Sequence, residues 1–410
     1  MTKEISLDTP VFEEGRHPFF IIAPLWLTAF IVSCQLFIVS PLLPIIQDEL
    51  LNRTPPTDFA LGFLGTAYSV VLAFSTLIVG PISDRVGRRR VLVVGTALIA
   101  AVLLLHGVAV HYESLLVMRA LTGMATGVYS GSMVAFVGDY FPYKRRGWAT
   151  GWILTGVACG QILGMPAGIL LANAYGFQTP FIVFGGLMVL ASAMAWWYLP
   201  QPNVKYDEVP FSIPAVLRTY ATLLQSRGPC AGVVIYFLLF ASLGVFLFFF
   251  PKWLEEDVGI SIQQLALLFV IAGIGIVVGT TSGGVLSDRF GRKPILIFAC
   301  GALTLVLPFV TFWVRGFTSA AVFTAVILIL GAMRTGPIMA LLTALTAHTQ
   351  RGSMMGLAIA SGQLGLGVAT AAAGWFYEHP GFPYNVLAAT IAVVLMAWVV
   401  WRLLPEPTEA

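Results

Sequence analysis

Residues 80–90 read GPISDRVGRRR, and residues 283–294 read GGVLSDRFGRKP. With Gly80 set on Gly284, Asp84 on Asp288, Gly87 on Gly291 and Arg88 on Arg292, the offset is 204 residues each time. A second pair, RGWATG from Arg146 and RGSMMG from Arg351, is displaced by 205, and that register persists where Gly176-Phe177 meets Gly381-Phe382. The chain of 410 residues is thus built as two copies of one plan. Around these charged islands lie long runs without Asp, Glu, Lys or Arg, among them 59–83, 91–112, 147–204 and 258–287. Each is long enough to cross a bilayer as a helix, which takes about 20 apolar residues.

Composition agrees with that reading: 58% of residues are hydrophobic, 10% are charged, and the mean hydropathy is +0.89. A chain so poor in charge cannot cover a water-facing surface, which excludes a soluble enzyme, a nucleic-acid binder and a disordered scaffold. Two runs are each interrupted by one charge, Arg119 in 114–138 and Arg334 in 316–350. The turn Tyr175-Gly176-Phe177-Gln178-Thr179-Pro180 divides 147–204 in two, and the count becomes twelve helices. With the N-terminus inside, seventeen of the 22 basic residues fall on the cytoplasmic side and three outside, with Arg119 and Arg334 in the membrane. That bias orients the chain with both termini cytoplasmic. The expected class is an all-α polytopic membrane protein of 12 transmembrane helices in two pseudo-symmetric six-helix bundles. The expected boundaries are a tail at 1–18, bundles at 19–200 and 229–404, a central loop at 201–228, and a tail at 405–410. Within the central loop Phe211, Val216, Leu217, Tyr220, Leu223 and Leu224 recur at helical spacing, so an amphipathic helix on the inner surface and a plain solvated linker are both open.

The paired loops, in a chain of twelve helices, resemble those of the major facilitator superfamily, whose loop signature appears here as GxxxDRxGRR and GxxxDRxGRK. The resemblance covers nearly all of residues 18–404 and implies a secondary transporter that works by alternating access. By resemblance, Asp84 and Arg88 with Asp139 form a charge network latching the outward-facing state, and Gly80, Gly87, Gly284, Asp288, Gly291 and Arg292 belong to the same device. Ala344 stands where the repeat would place a second Asp139, so the second latch is expected to be weaker. The plain alternative is that the loop arginines enforce topology alone. Arg119-Ala-Leu-Thr-Gly123-Met-Ala-Thr-Gly127 is similar to the family's helix 4 signature, which makes Arg119 a coupling candidate. Gly156, Gly160, Gly164, Pro166 and Gly168 resemble the helix 5 motif associated with antiporters, with a methionine inserted before the proline. Small residues every four positions also serve close helix packing, and both readings stand.

A charge inside the bilayer normally persists for function. Arg334 lies near the middle of helix 10, and the repeat places Tyr129 at its equivalent in helix 4. By resemblance helices 1, 4, 7 and 10 line the cavity, so Arg334 is expected to offer its guanidinium to an anionic solute, with Gln35, Tyr129, Ser130, Tyr236 and Thr335 as companions. A structural bond to backbone or to Gln363 is the alternative. The acidic residues fall in loops, tails and helix ends, which leaves a cation without an intramembrane partner. His106 is expected to be a packed neutral side chain.

The four cysteines have the spacing of neither a metal site nor a disulfide framework, and no metal or cofactor is expected. The chain contains no GxxxxGK[ST], so energy is expected from an ion gradient, with the proton as the family's usual coupling ion. No nucleophile, metal set or acid pair points to an enzyme. The combined expectation is a monomeric transporter of a small organic solute in a bacterial inner membrane, with the lipid bilayer as its surroundings and no nucleic-acid partner. A polar or anionic metabolite is favoured, and proton-coupled efflux of drug-like compounds is the alternative.

Overall fold

The computed structural model describes residues 18–50, 56–201, 213–346 and 351–404. Residues 1–17 and 405–410, residues 202–212 of the central connection including Phe211, and the segments 51–55 and 347–350 lie outside the described residues. Among the described residues twelve helices are long and apolar enough to cross a membrane: span 1 Pro18–Phe37, span 2 Asp58–Val79, span 3 Arg88–Val108, span 4 Tyr112–Tyr140, span 5 Arg145–Tyr175, span 6 Gln178–Tyr198, span 7 Arg227–Glu256, span 8 Ile262–Phe290, span 9 Arg292–Trp313, span 10 Phe317–Ala344, span 11 Gly352–Glu378 and span 12 Phe382–Leu403. Among the described residues the regular structure is helix throughout. In a bilayer a helix satisfies its own backbone, so charge-free runs fold this way and consecutive spans reverse through short turns.

The turns carry the duplication into the backbone. Gly87 (φ 102°) and Gly291 (φ 93°) occupy the left-handed region, where a side chain would clash, and each ends one helix and starts the next. Gly176 (φ 94°) and Gly381 (φ 90°) repeat the device at the opposite end. Two helix starts at that opposite end are capped by side chains. Thr57 accepts from the Ala60 amide at 3.2 Å, and Ser261 with Gln264 forms a reciprocal capping box. The end holding the two DRxGR loops is called the near end here, and the other the far end.

Within each half, glycine lets backbones meet. A methyl group on Gly123 or Gly127 of span 4 would collide with the Tyr68 or Leu72 carbonyl of span 2, and one on Gly279 or Gly283 of span 8 with the Ile329 or Met333 carbonyl of span 10. The first apolar stretch is not one straight helix. It breaks at Ile38 and resumes as the short helix Val39–Leu50. Span 5 contains one π-helical turn, Gly160–Gly164, and span 10 is interrupted at Arg334. Residues Ile213–Gln225 form a helix in the central connection, one of the two readings left open there, with Leu223 buried and Leu224 exposed.

Hydrogen bonds between the halves gather at the far end. Among the described residues these are Ser40 Oγ to the Leu247 and Phe248 carbonyls (2.9 and 2.8 Å), Thr66 Oγ1 to the Gly367 carbonyl (2.7 Å) and to Thr370 Oγ1 (3.1 Å), Glu378 Oε2 accepting from the Phe59 amide (2.8 Å), and the bonds of Lys252 described below. The described conformation is therefore closed at the far end.

Candidate functional site

Between the halves lies a cavity of about 80 Å³, bounded by spans 1, 5, 7, 8 and 10. Its walls are almost wholly apolar, with Phe37, Met165, Leu268, Phe269 and Leu328 among them. Its polar lining comes from Ser33, Ser40, Gln161 and Thr324, and no charged side chain reaches it. Gln161 arrives there on the π turn of span 5; such turns add one residue to a helix and often sit at functional positions. Thr324 Oγ1 is buried without a partner.

Above this cavity, Lys252 closes the far mouth. The sequence alone places it in an outer loop, yet span 7 continues through Phe250–Glu256 and leaves Lys252 only 2% exposed. Its ammonium pairs with Asp58 at the start of span 2, donates to Gln47 Oε1 at 2.6 Å, and stands 3.6 Å from Glu256 and 5.3 Å from the centre of the Tyr377 ring. Tyr377 in turn donates to Glu256 Oε2 at 2.9 Å. Asp58 and Gln47 belong to the first half, and Lys252, Glu256 and Tyr377 to the second. The cluster is an ion pair across the seam. The signal available in the sequence was Lys252 ending an apolar run with an acid four residues on, a spacing that reads equally well as an ordinary surface pair.

Arg119 is 1% exposed inside the first half. Its Nη2 donates to the Gln35 carbonyl at 3.0 Å, a group in the last turn of span 1 where carbonyls lack helical partners. Its guanidinium carbon lies 4.4 Å from the centre of the Tyr68 ring, while Nε and Nη1 have no hydrogen bond. Gln35 is fully buried, and its two amide atoms are also unbonded. Tyr129 donates to the Leu25 carbonyl at 3.2 Å, which ties span 4 to span 1. The structure thus brings Gln35 to Arg119 but holds both, with Tyr129, within the packing of the first half.

Arg334 is equally enclosed, at 1% exposure, in the second half. Its Nε donates to the Gly331 carbonyl at 3.2 Å, Nη1 reaches Met396 Sδ of span 12 at 3.6 Å, and the Cys300 thiol of span 9 lies beside it. A cavity of about 20 Å³ next to it is walled by Ser242, Leu303 and Val393. Its depth is as expected, but the side chain is turned into its own bundle rather than toward the seam cavity. Tyr236 reaches Met339 Sδ at 3.9 Å, and Thr335 donates to the Ala332 carbonyl at 2.6 Å. Ser130 is half-buried, and Gln363 is buried with Oε1 unbonded. Gln363 is not bonded to Arg334. His106 stacks on Phe181 at 4.3 Å with Nδ1 2.8 Å from the Val102 carbonyl, a packed position.

At the near end Arg88 Nε bonds Asp139 Oδ2 at 2.8 Å, and Nη1 reaches Ser83. The side chain of Asp84 and the surroundings of Gly80 lie outside the described residues. In the second copy Arg292 Nη1 meets a backbone carbonyl, that of Ala340, at 3.4 Å, and Asp288 is exposed, beside a Gly284 with open space around it. The copy with the acid at 139 has an ion pair, and the copy with Ala344 has a long bond to a carbonyl. The helix 5 glycines form a ladder against span 1: Gly156 on Trp26, Gly160 on Phe30 and Ser33, Gly164 on Cys34, Gly168 on Ile38. Ser33 Oγ and Cys34 Sγ bond the Val157 and Gly160 carbonyls across it, at 3.1 and 3.2 Å, with Pro166 buried beside them.

A family model described as Major Facilitator Superfamily matches residues 25–227 and 232–410. The chain is 27% identical over 369 residues to an uncharacterized MFS-type transporter, YceJ, of Bacillus subtilis, covering 85% of this chain and 87% of that one. It is 25% identical over 292 residues to the multidrug resistance protein MdtG of Proteus mirabilis, covering 69% and 70%. Its fold matches a crystal structure of a D-xylose-proton symporter with TM-score 0.81 at 18% identity, over 96% of this chain and 99% of that one. It also matches a bacterial homolog of the human lysosomal transporter Spinster, in an inward-facing and unoccupied conformation, with TM-score 0.72 at 17% identity over 94% and 97%.

Proposed function

The chain belongs to the Major Facilitator Superfamily of transporters, and from that premise we propose that it carries an apolar or amphipathic organic solute by alternating access through the seam between its halves. The observation that supports this solute class is the seam cavity, whose walls are aliphatic and aromatic with a few neutral polar groups and no charge. A resident ion would stay poorly solvated there. MdtG, a relative of similar plan, is named for multidrug resistance, which accords with the same class. A polar or anionic metabolite is the second reading, and Arg334, a buried cation near the middle of span 10, is the observation that favours it.

Orientation follows from the basic loops: the near end, with Arg85, Arg88, Arg89 and Arg90 and the second DRxGR copy, faces the cytoplasm of a bacterial cell. The described conformation, closed at the far end, is then the inward-facing one, and Asp58 with Lys252 is the outer gate. Rocking the halves would separate that gate and bring the near ends together around Arg88 and Asp139. A transmembrane gradient supplies the energy, with the proton as coupling ion; the symporter of like fold is named as a proton symporter.

The test is movement of lipophilic dyes and of labelled organic acids in vesicles holding the purified protein, at two imposed pH gradients, for wild type, Phe269→Ala and Arg334→Met. Dye movement that responds to the gradient, weakens in Phe269→Ala and persists in Arg334→Met is the expected result. Movement of acids alone, abolished by Arg334→Met in protein that stays folded, would replace this reading with the second.

A further inference from the structure

The gate, the seam and the near-end network leave Arg119 without a use, and its surroundings are unusual in what they lack. A guanidinium carries five N–H donors and cannot discard its charge in a protein. Here it is 1% exposed and makes one described hydrogen bond, to the neutral Gln35 carbonyl. Among the described residues the ion pairs are those of Arg88 and Lys252, so no carboxylate answers this cation. The Tyr68 ring under the guanidinium contributes a cation–π contact and no charge.

The unmet groups cluster. Arg119 Nε and Nη1 lack acceptors, and Gln35, in direct contact through its carbonyl, is 0% exposed with Nε2 and Oε1 both unbonded. Native interiors leave few buried polar groups unpaired, and here two residues in contact, Arg119 and Gln35, have four unbonded polar atoms around one buried cation. The chemistry of a ligand that would suit them is set by the donors: the guanidinium nitrogens and the Gln35 amide offer N–H groups and one full positive charge.

We propose that Arg119 and Gln35 form an occluded binding site for a monovalent anion, separate from the seam cavity, whose lining includes neither. The bound anion neutralises Arg119 and completes the bonds of spans 1 and 4. This rests on burial and unmet bonds and holds for either solute class in the preceding section. The anion is a small inorganic ion such as chloride or the carboxylate of an organic acid, since both present compact acceptors of one negative charge.

Purified full-length protein in a sulfate background of constant ionic strength, free of chloride and carboxylates, is titrated with chloride, acetate or benzoate while its unfolding temperature is followed. Binding to the folded state raises that temperature by about 3–5 °C at a hundred times the dissociation constant and then levels off. Wild type is expected to respond saturably, and Arg119→Gln and Gln35→Leu to lose the response. A shift with chloride alone assigns an inorganic anion, and one with acetate or benzoate alone assigns a carboxylate. Because Arg119→Gln can lose its fold, Gln35→Leu and direct equilibrium binding of radiolabelled chloride and benzoate to wild type provide an independent decision. No saturable response to any probe in wild type, or the same response in the folded variants, overturns the proposal.

Discussion

Removing Asp58 should open the far mouth. In the closed state the Lys252 side chain is 3% exposed and its partner Asp58 19%, while Glu256, the other carboxylate, is 45% exposed and 3.6 Å away. Asp58→Asn therefore leaves a buried ammonium with Gln47 and a largely solvated acid. Orphaning one member of a buried pair costs about 3–5 kcal/mol, and the remaining partners reduce that to about 2–3. With the mouth open Lys252 is hydrated and carries no such penalty, so the ratio of closed to open molecules falls by about 30- to 150-fold. Lys252→Met should act less, by about 1–2 kcal/mol, because the carboxylate it strands is better placed to take water. The double variant should fall short of the sum of the two. The probe is Ser69→Cys in a chain whose four native cysteines are replaced. Ser69 is 1% exposed, packs on Gly367 across the seam, and lies roughly 16 Å along span 2 from Asp58. Labelling by a membrane-impermeant maleimide, in vesicles of both orientations, should accelerate in Asp58→Asn from the far face only. An unchanged rate, or acceleration from the near face, refutes the gate.

Three further outcomes are expected. Gly279→Val should force span 8 off the Ile329 carbonyl and reduce the yield of folded protein in detergent, with an unfolding temperature several degrees lower, as over-packing costs about 1–3 kcal/mol. Gly87→Ala places a methyl group at φ 102°, and a loss of about 1 kcal/mol or more should appear as earlier thermal unfolding, while Gly147→Ala, where space is open, serves as its comparison. Arg334→Met should keep more than half of the transport rate per folded molecule, since its bonds run to Gly331 and Met396 inside the second half; loss of transport at unchanged thermal stability would return Arg334 to the solute path.

The spans and the duplication were readable in the sequence because both are local. A charge is excluded from a bilayer wherever it falls, and a turn glycine is required wherever φ is positive, so Gly87, Gly176, Gly291 and Gly381 mark the same turns in letters and in backbone. Position along the helix was readable too: Arg119 stands about two turns into span 4 and Arg334 near the middle of span 10. Direction was not. Which way a side chain points depends on the azimuth of its helix, and span 10 is interrupted at Arg334 itself, which turns that residue toward spans 9 and 12. The gate was hidden for a different reason. Lys252 and Asp58 are 194 residues apart, and each looks like an ordinary charge at a helix end until the break at Ile38 and the continuation of span 7 bring the short helices over the seam.

The distribution of close contacts says where motion is permitted. Glycine meets backbone both across the seam, where Gly62 and Gly374 reach the Thr370 and Asp58 carbonyls, and inside the halves, at Gly156 and Gly160 on span 1, Gly123 and Gly127 on span 2, and Gly279 and Gly283 on span 10. Such close joints resist sliding out of register. Between the halves the polar joints are a hydroxyl on two carbonyls, a threonine pair, a carboxylate on one amide and the Lys252 cluster. All of these can be exchanged for water when the far mouth opens, and water replaces a neutral hydrogen bond at a net difference of only about 1 kcal/mol. The ammonium is the buried charge whose partner comes from the other half. Opening the far mouth therefore parts exchangeable bonds, one charge pair and the glycine contacts that spans 2 and 11 share.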